Sequence, residues 1–210
     1  MSDLDRLLRA LERRLKSPLP GLPAQLKMVP SPRPGQQVYT EVESTSLKAG
    51  VMLLLYNVGG ETCLVLIRRP STVLHHKDQV SFPGGQVEKG EDSVQAALRE
   101  TWEEIGVPQD RVRVLGGLTP LFIPPSNFCI YPVVATATGP LPIRPQPEEV
   151  AEIIEVPLAH LRDLRNARRE TWMIRGEPTE VPFYAFGPHK IWGATAMVLA
   201  EFLDVLGPID

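Results

Sequence analysis

Leucines at positions 4, 7, 8, 11 and 15 of SDLDRLLRALERRLKS recur at the three- and four-residue spacing of one helix face. Residues 2–17 are therefore predicted to form an amphipathic helix, with Ser2 as N-cap and Pro18 ending it. Arg6, Arg9, Arg13 and Arg14 occupy its polar face. The stripe suits packing on the chain itself or a dimer contact, and without Trp or Phe anchors it does not suit a membrane surface. Residues 18–38 are Pro-rich and are expected to be irregular. Two continuous apolar runs follow, KAGVMLLLYN from Lys48 and ETCLVLIRR from Glu61, bracketing NVGG. They predict a central hairpin buried on both faces.

After a loop, PSTVLHHKDQVSFPGG, a helical period returns over 93–105. Asp92 is its N-cap with Gln95 three residues on, a capping box, and Gly106 stands where a C′ glycine belongs. RVRVLGGL and FCIYPVVATAT predict strands, EVAEIIEVPLAHLRDL a strand and then a short helix. ETWMIRG and VPFYAFG predict a late strand pair, and KIWGATAMVLAEFLDVL a terminal amphipathic helix. This order predicts an α+β fold, a mixed β-sheet flanked by helices. A leader over 1–38 is expected to precede one domain over 39–210.

Composition narrows the function classes. With 210 residues, 43% hydrophobic and a net charge of −3, the chain can bury one full core and carries no basic field for nucleic acid or anionic lipid. No apolar stretch is long enough to span a bilayer. Cys63 and Cys129 are far apart within apolar runs and are expected to be reduced, buried thiols. A cytoplasmic location is expected. Proline, at 22 residues, is about twice its average usage and marks long, rigid connections.

The 93–105 helix carries the chemistry. At about 100° per residue, Val94, Ala97, Leu98, Thr101 and Ile105 face the core, while Glu100, Glu103 and Glu104 share another sector. Like charges at this spacing repel. They are either an ordinary solvated face or a carboxylate nest for a hard divalent cation such as Mg²⁺ or Mn²⁺. Arg99 lies beside them and can brace a carboxylate through its planar fork. The flanks favour the nest: Pro83-Gly84-Gly85 lets backbone approach closely, and Glu91 sits just outside the helix start.

Gly85, Glu91, Arg99, Glu100, Glu103, Glu104, Gly106 and Val107 together fit G-x5-E-x7-R-E-U-x-E-E-x-G-U, where U is a bulky aliphatic residue. This run resembles the Nudix box of the Nudix hydrolases, with Thr101 at a position where an aliphatic residue is usual. The resemblance implies an α/β/α sandwich and metal-dependent hydrolysis of a nucleoside diphosphate linked to another group. It implies Glu100, Glu103 and Glu104 as metal ligands and catalytic acids, with Arg99 and Glu91 as structural support. Metal ions can neutralise a pyrophosphate, activate water and hold the phosphates in line, while a carboxylate takes the proton. That carboxylate is one of the three helix acids or a loop acid, Glu149 or Glu152, which otherwise serve as surface charge.

Upstream, LIRRPSTVLHHKDQVSFPGG resembles the segment before the box in coenzyme A pyrophosphatases. Arg69, Phe82, Gly84 and Gly85 match and are the expected substrate-binding residues. Pro70, Leu74 and Asp78 stand where that pattern has Ser/Ala, Arg and Gly, and Arg68, His75, His76 or Lys77 are candidates to replace the missing arginine. Residues 20–34, 121–135 and 191–203 resemble the same group. The implied substrate is coenzyme A or a thioester of it, cleaved to 3′,5′-ADP and 4′-phosphopantetheine. ADP-ribose, NADH or dinucleoside polyphosphates are the alternative substrates, and a non-catalytic nucleotide-binding module is the alternative class. Phe82, Phe122, Phe128 and Tyr131 are candidate stackers for adenine or core residues, and Ser126-Asn127 a turn or part of the pocket. A small nucleotide is the expected partner, with a homodimer possible.

Overall fold

The computed structural model describes residues 3–31, 46–71, 78–139 and 141–207. Ser2, leader residues 32–38 and the loop residues Leu74, His75, His76 and Lys77 lie outside the described residues. In chain order the elements are α1 (Asp3–Arg14), α2 (Leu22–Gln25), β1 (Leu47–Val58), β2 (Glu61–Arg68), β3 (Val80–Ser81), β4 (Gly84–Gln86) and α3 (Ser93–Ile105). There follow β5 (Val112–Gly117), β6 (Leu121–Ile123), β7 (Phe128–Ala137), β8 (Glu152–Pro157) and α4 (Leu158–Arg162). The last are β9 (Ala167–Ile174), β10 (Glu177–Phe186), β11 (His189–Trp192) and α5 (Gly193–Leu206).

The main sheet runs β3-β2-β1-β7-β5, with β4 also on β1, β6 on β7 and β8 on β2. β1 and β7 are parallel, Leu47–Leu55 beside Phe128–Thr136, and β1 pairs antiparallel with β2 and β4. The sheet is thus mixed, as expected. Its continuous apolar strands have two faces to fill. Leu53, Leu55, Leu64, Leu66 and Val134 point to a layer holding Leu7 and Leu11 of α1 and Leu199 and Phe202 of α5. Met52, Leu54, Val65, Ile67, Val133 and Ala135 point the other way, against Ala97 and Ile105 of α3. Period-two alternation between two apolar layers is what makes an unbroken hydrophobic run a strand. The result is an α/β/α sandwich.

Local signals work as anticipated around α3. The Asp92 side chain accepts from the Val94 and Gln95 N–H groups at 2.9 Å, and the Gln95 side chain accepts from the Asp92 N–H at 2.8 Å. Gly106 closes the helix at φ 71° and donates to the Trp102 carbonyl. The helix lies close on β1 because Gly50 faces it: a Cβ there would overlap the Ser93 carbonyl and the Ala97 backbone.

At the N-terminus, Leu7, Leu8 and Leu11 are buried within the chain, so the leucine stripe serves internal packing. Arg14 donates to the Leu206 carbonyl at the end of α5. The leader contains a short helix at Leu22–Gln25 and a 3₁₀ turn at Leu26–Met28, with Pro23 in the first turn, where its missing N–H removes no helix bond. The expected late strand pair is a three-stranded antiparallel sheet, β9-β10-β11. His189–Trp192 pairs with Phe183–Phe186, so the terminal helix starts at Gly193 and not at Lys190. Ring packing of Trp192 on Trp172, centroids 5.2 Å apart, favours the strand there. Among the described residues, no helix is long and apolar enough to cross a membrane.

Candidate active site

β4 and α3 bring the acids of the helix against a glycine loop. Glu104 is 1% exposed. One of its oxygens accepts from the Gly84 N–H at 2.8 Å, and the other lies 3.6 Å from Arg69 Nη1. Glu100 faces Gly85, where a Cβ would run into its carboxylate. Gly84, at φ 148°, sits on β1 where any side chain would strike the Gly50 carbonyl and Val51. The two glycines therefore work by close approach, as the sequence suggests.

Arg99 organises the helix's outer face. Its guanidinium grips Glu91 with two bonds, Nε to Oε2 at 3.2 Å and Nη2 to Oε1 at 2.8 Å. Nη1 donates to Glu100 at 2.8 Å and to Glu103 at 2.9 Å, and Nη2 reaches the Gln86 carbonyl at 3.1 Å. Glu91 also accepts the Glu88 N–H at 2.7 Å. Arg99, and then the Glu88 amide, hold its carboxyl below the ordinary range. One planar cation thus ties the loop before α3 to two acids on it.

A third carboxylate arrives from far along the chain. Residues 141–151 run past the C-terminal end of α3, where the Arg144 N–H donates to the Ile105 carbonyl at 2.9 Å and the Gln146 N–H to the Glu104 carbonyl at 2.8 Å. These bonds satisfy carbonyls that a helix end leaves open. They also deliver Glu149, so that one oxygen each of Glu100, Glu104 and Glu149 lies within 4.8 Å of the others. Glu103 turns to Arg99 instead. The sequence treats Glu149 and Glu152 alike; the structure separates them. Glu152 is held by Arg68 at 3.0 Å and His189 at 3.2 Å. A non-local strap has no periodic signature, so the pairing of Glu149 with α3 is invisible in the sequence.

Burial raises the Glu100 carboxyl above its usual range, with Glu103 and Glu149 adding to the effect and Arg99 opposing it. Burial also pushes Glu104 up to about 8, with Glu100 and Glu149 contributing and the Gly84 N–H and Arg69 pulling down. Carboxylates crowded together and stripped of water are costly when charged. A hard divalent cation relieves that cost, and all three donors are oxygens. The group fits a metal.

Beside Gly84 and Gly85 opens a cavity of about 570 Å³. Phe82, Ile123, Phe128, Ile130, Trp192 and Met197 form much of its wall, and Arg69, Ser126 and Arg175 are among its polar lining. All four expected substrate-binding residues, Arg69, Phe82, Gly84 and Gly85, are therefore on it. Of the candidate aromatics, Phe82 and Phe128 line it, whereas Phe122 is buried and Tyr131 is not on its wall. Arg68 is held by Glu152 and Asp78, each at 3.0 Å, and is not on the cavity wall. Asp78 stands at φ 55°, the left-handed region that explains why glycine suits this position. Trp192 and Arg175 reach the cavity from the second sheet, a placement with no signal in the sequence.

A Nudix domain model matches residues 46–175. Over 167 residues the chain is 38% identical to the mitochondrial coenzyme A diphosphatase NUDT8 of Homo sapiens, covering 76% of this chain and 70% of that protein. It is 37% identical over 139 residues to the uncharacterized Nudix hydrolase NudL of Photorhabdus laumondii, covering 66% of this chain and 74% of that protein. Among solved structures, the M. smegmatis Nudix hydrolase RenU aligns at TM-score 0.50 with 20% identity, over 75% of this chain and 84% of that one. That likeness concerns the fold.

Proposed function

The chain belongs to the Nudix family and is a pyrophosphohydrolase, and from that premise we propose that it cleaves the pyrophosphate of coenzyme A or its thioesters, giving 3′,5′-ADP and 4′-phosphopantetheine. The observation that carries this reading is the shared wall: Gly84 and Gly85 touch the acid group on one side and the apolar cavity on the other. A phosphoanhydride lying over the glycines would put its phosphates beside the acids and an organic arm in the cavity. The NUDT8 relatives of Homo sapiens and Mus musculus, named coenzyme A diphosphatases, support the choice of substrate.

We assign the metal to Glu100 and Glu104 with Glu149, and keep Glu103 with them as the remaining acid of the helix. Mg²⁺ or Mn²⁺ suits this oxygen set. When bound, such an ion supplies charge neutralisation at the phosphates and lowers the pKa of water. The chain's own residues do the rest. Arg99 and Glu91 hold the acids in register, and Gly85 leaves Glu100 room. The Gly84 N–H fixes one oxygen of Glu104, and Arg69 offers a cation at the edge of the acid group. The proton acceptor is one of the site carboxylates.

Cys63 and Cys129 are buried and free, and a cytoplasmic location is kept as part of this proposal. We retain 39–210 as the catalytic domain. A homodimer would have to use a surface other than the buried leucine stripe, which sedimentation would test. For the substrate, purified protein with Mg²⁺ or Mn²⁺ is offered coenzyme A, NADH, ADP-ribose, dinucleoside polyphosphates and oxidised nucleoside triphosphates, with products identified. Coenzyme A should turn over fastest. Faster cleavage of another compound would move the substrate and leave the reaction class standing.

A further inference from the structure

We propose that Arg175 recognises a phosphomonoester that the substrate carries in addition to its pyrophosphate, and so sets specificity for a 3′-phosphorylated nucleotide. The inference rests on the coenzyme A reading above and names the residue that would distinguish that substrate from a plain adenosine diphosphate derivative. Among the described residues, two arginines line the cavity and no carboxylate does. Arg69 is drawn to the acid end, 3.6 Å from Glu104. Arg175 belongs to a different element, the β9–β10 turn, and makes no ion pair among the described residues.

Two other cations of the same sheet are paired. Arg169 meets Glu180 at 2.7 Å, and Lys190 meets Glu170. Arg175 is exposed at the rim beside Ile174 and so can meet a ligand without first breaking an internal bond.

The backbone makes the residue choice unusual. Ile174 pairs with Glu177, leaving Arg175 and Gly176 as a two-residue hairpin loop. Both have positive φ, 53° and 84°, the arrangement of a type I′ turn. Such turns favour Asn, Asp or Gly at the first position, because other side chains are strained there. Neither the turn nor an ion pair explains an arginine. Its place on the cavity does: a planar fork offers two parallel bonds to a phosphate, and a phosphomonoester brings nearly two charges to one end of the ligand.

The test compares wild type with Arg175→Asn, which suits the turn while removing the charge, and with Arg175→Lys. Arg175→Asn should lower kcat/KM for coenzyme A by about 10- to 100-fold, mainly through KM. Turnover of 3′-dephospho-coenzyme A should change by less than about threefold, and Arg175→Lys should recover part of the loss. Equal losses on both substrates, or none on either, would overturn the assignment. A second arm needs no turnover: wild type should bind 3′,5′-ADP more tightly than 5′-AMP by calorimetry, and Arg175→Asn should lose that preference. If wild type fails to cleave coenzyme A, the substrate reading falls and the binding arm decides for Arg175. A preference lost in the variant then supports it, and no preference in wild type overturns it.

Discussion

The two sides of the cleft are built differently. The acid side comes from one continuous stretch, 84–106, in which a glycine pair, a capping box and one arginine set every carboxylate except Glu149. The cavity side is assembled from β1, β3, β6–β7, the β9–β10 turn and the start of α5. Charge is dense and braced on the first side, while apolar surface with two arginines makes up the second. The contrast teaches that reaction type is held by local geometry that tolerates little change, whereas substrate choice is spread over segments that can vary separately.

If the acid side is where catalysis lies, Glu104→Gln should have the largest effect of any change. It should lower turnover by about 100- to 1,000-fold while the metal-free fold melts no lower, since an uncharged group replaces a buried acid. Glu103→Gln, at a side chain 43% exposed and turned to Arg99, should cost less than Glu104→Gln. Steady-state rates and thermal melts check both, and an effect of Glu103 exceeding that of Glu104 would break the ordering.

Removing the brace should come next. Arg99→Ala leaves Glu91, Glu100 and Glu103 without their shared cation and should cost about 2 kcal/mol of stability and about tenfold in kcat. Arg99→Lys should not restore the rate, because an ammonium cannot reproduce the fork. Denaturant titration with kinetics reads both.

The comparison sharpens under pH. Glu104 binds its proton more tightly folded than unfolded, its value moving from 4.5 to about 8. In the metal-free chain the stability tied to that proton is complete below about 4.5 and is lost as pH rises toward 8. Glu91 and Glu152, both lowered by their arginines, act in the opposite direction: their contribution is present at neutral pH and is lost as the medium is acidified below the ordinary carboxylate range. Melts in EDTA should therefore show a decline above pH 5 that Glu104→Gln reduces, the remainder belonging to Glu100, whose carboxyl is also raised by burial, and added Mg²⁺ should raise Tm more at pH 8 than at pH 6. Smallest of all, Glu152→Gln should change kcat by less than about twofold, because its partners Arg68 and His189 stand apart from the acid group.

Much of the acid side was legible because its determinants are neighbours in sequence. Asp92, Gln95 and Gly106 act within one turn of the residues they cap, and Gly85 and Glu100 lie on consecutive elements. Even the departure at Thr101 is resolved locally. Its hydroxyl donates to the Ala97 carbonyl at 2.6 Å, so a polar residue fills a fully buried, otherwise aliphatic position without an unmet bond. Glu149 was a candidate without a location, since its place depends on backbone bonds between 144–146 and the end of α3. The apolar period of KIWGATAMVL predicts a helix that includes Trp192, and only cross-strand pairing with Phe183 makes it a strand residue. Arg175 showed no chemistry in sequence because a turn arginine acquires meaning from the cavity it borders.

The most direct measurement is calorimetric titration of Mn²⁺ into the protein with a non-hydrolysable pyrophosphate analogue present, paired with anomalous diffraction from crystals grown in the same mixture. An ion between Glu100, Glu104 and Glu149, in contact with the analogue and lost in Glu104→Gln, is the expected result. Manganese bound elsewhere, or none bound at all while the protein still hydrolyses its substrate, would contradict it.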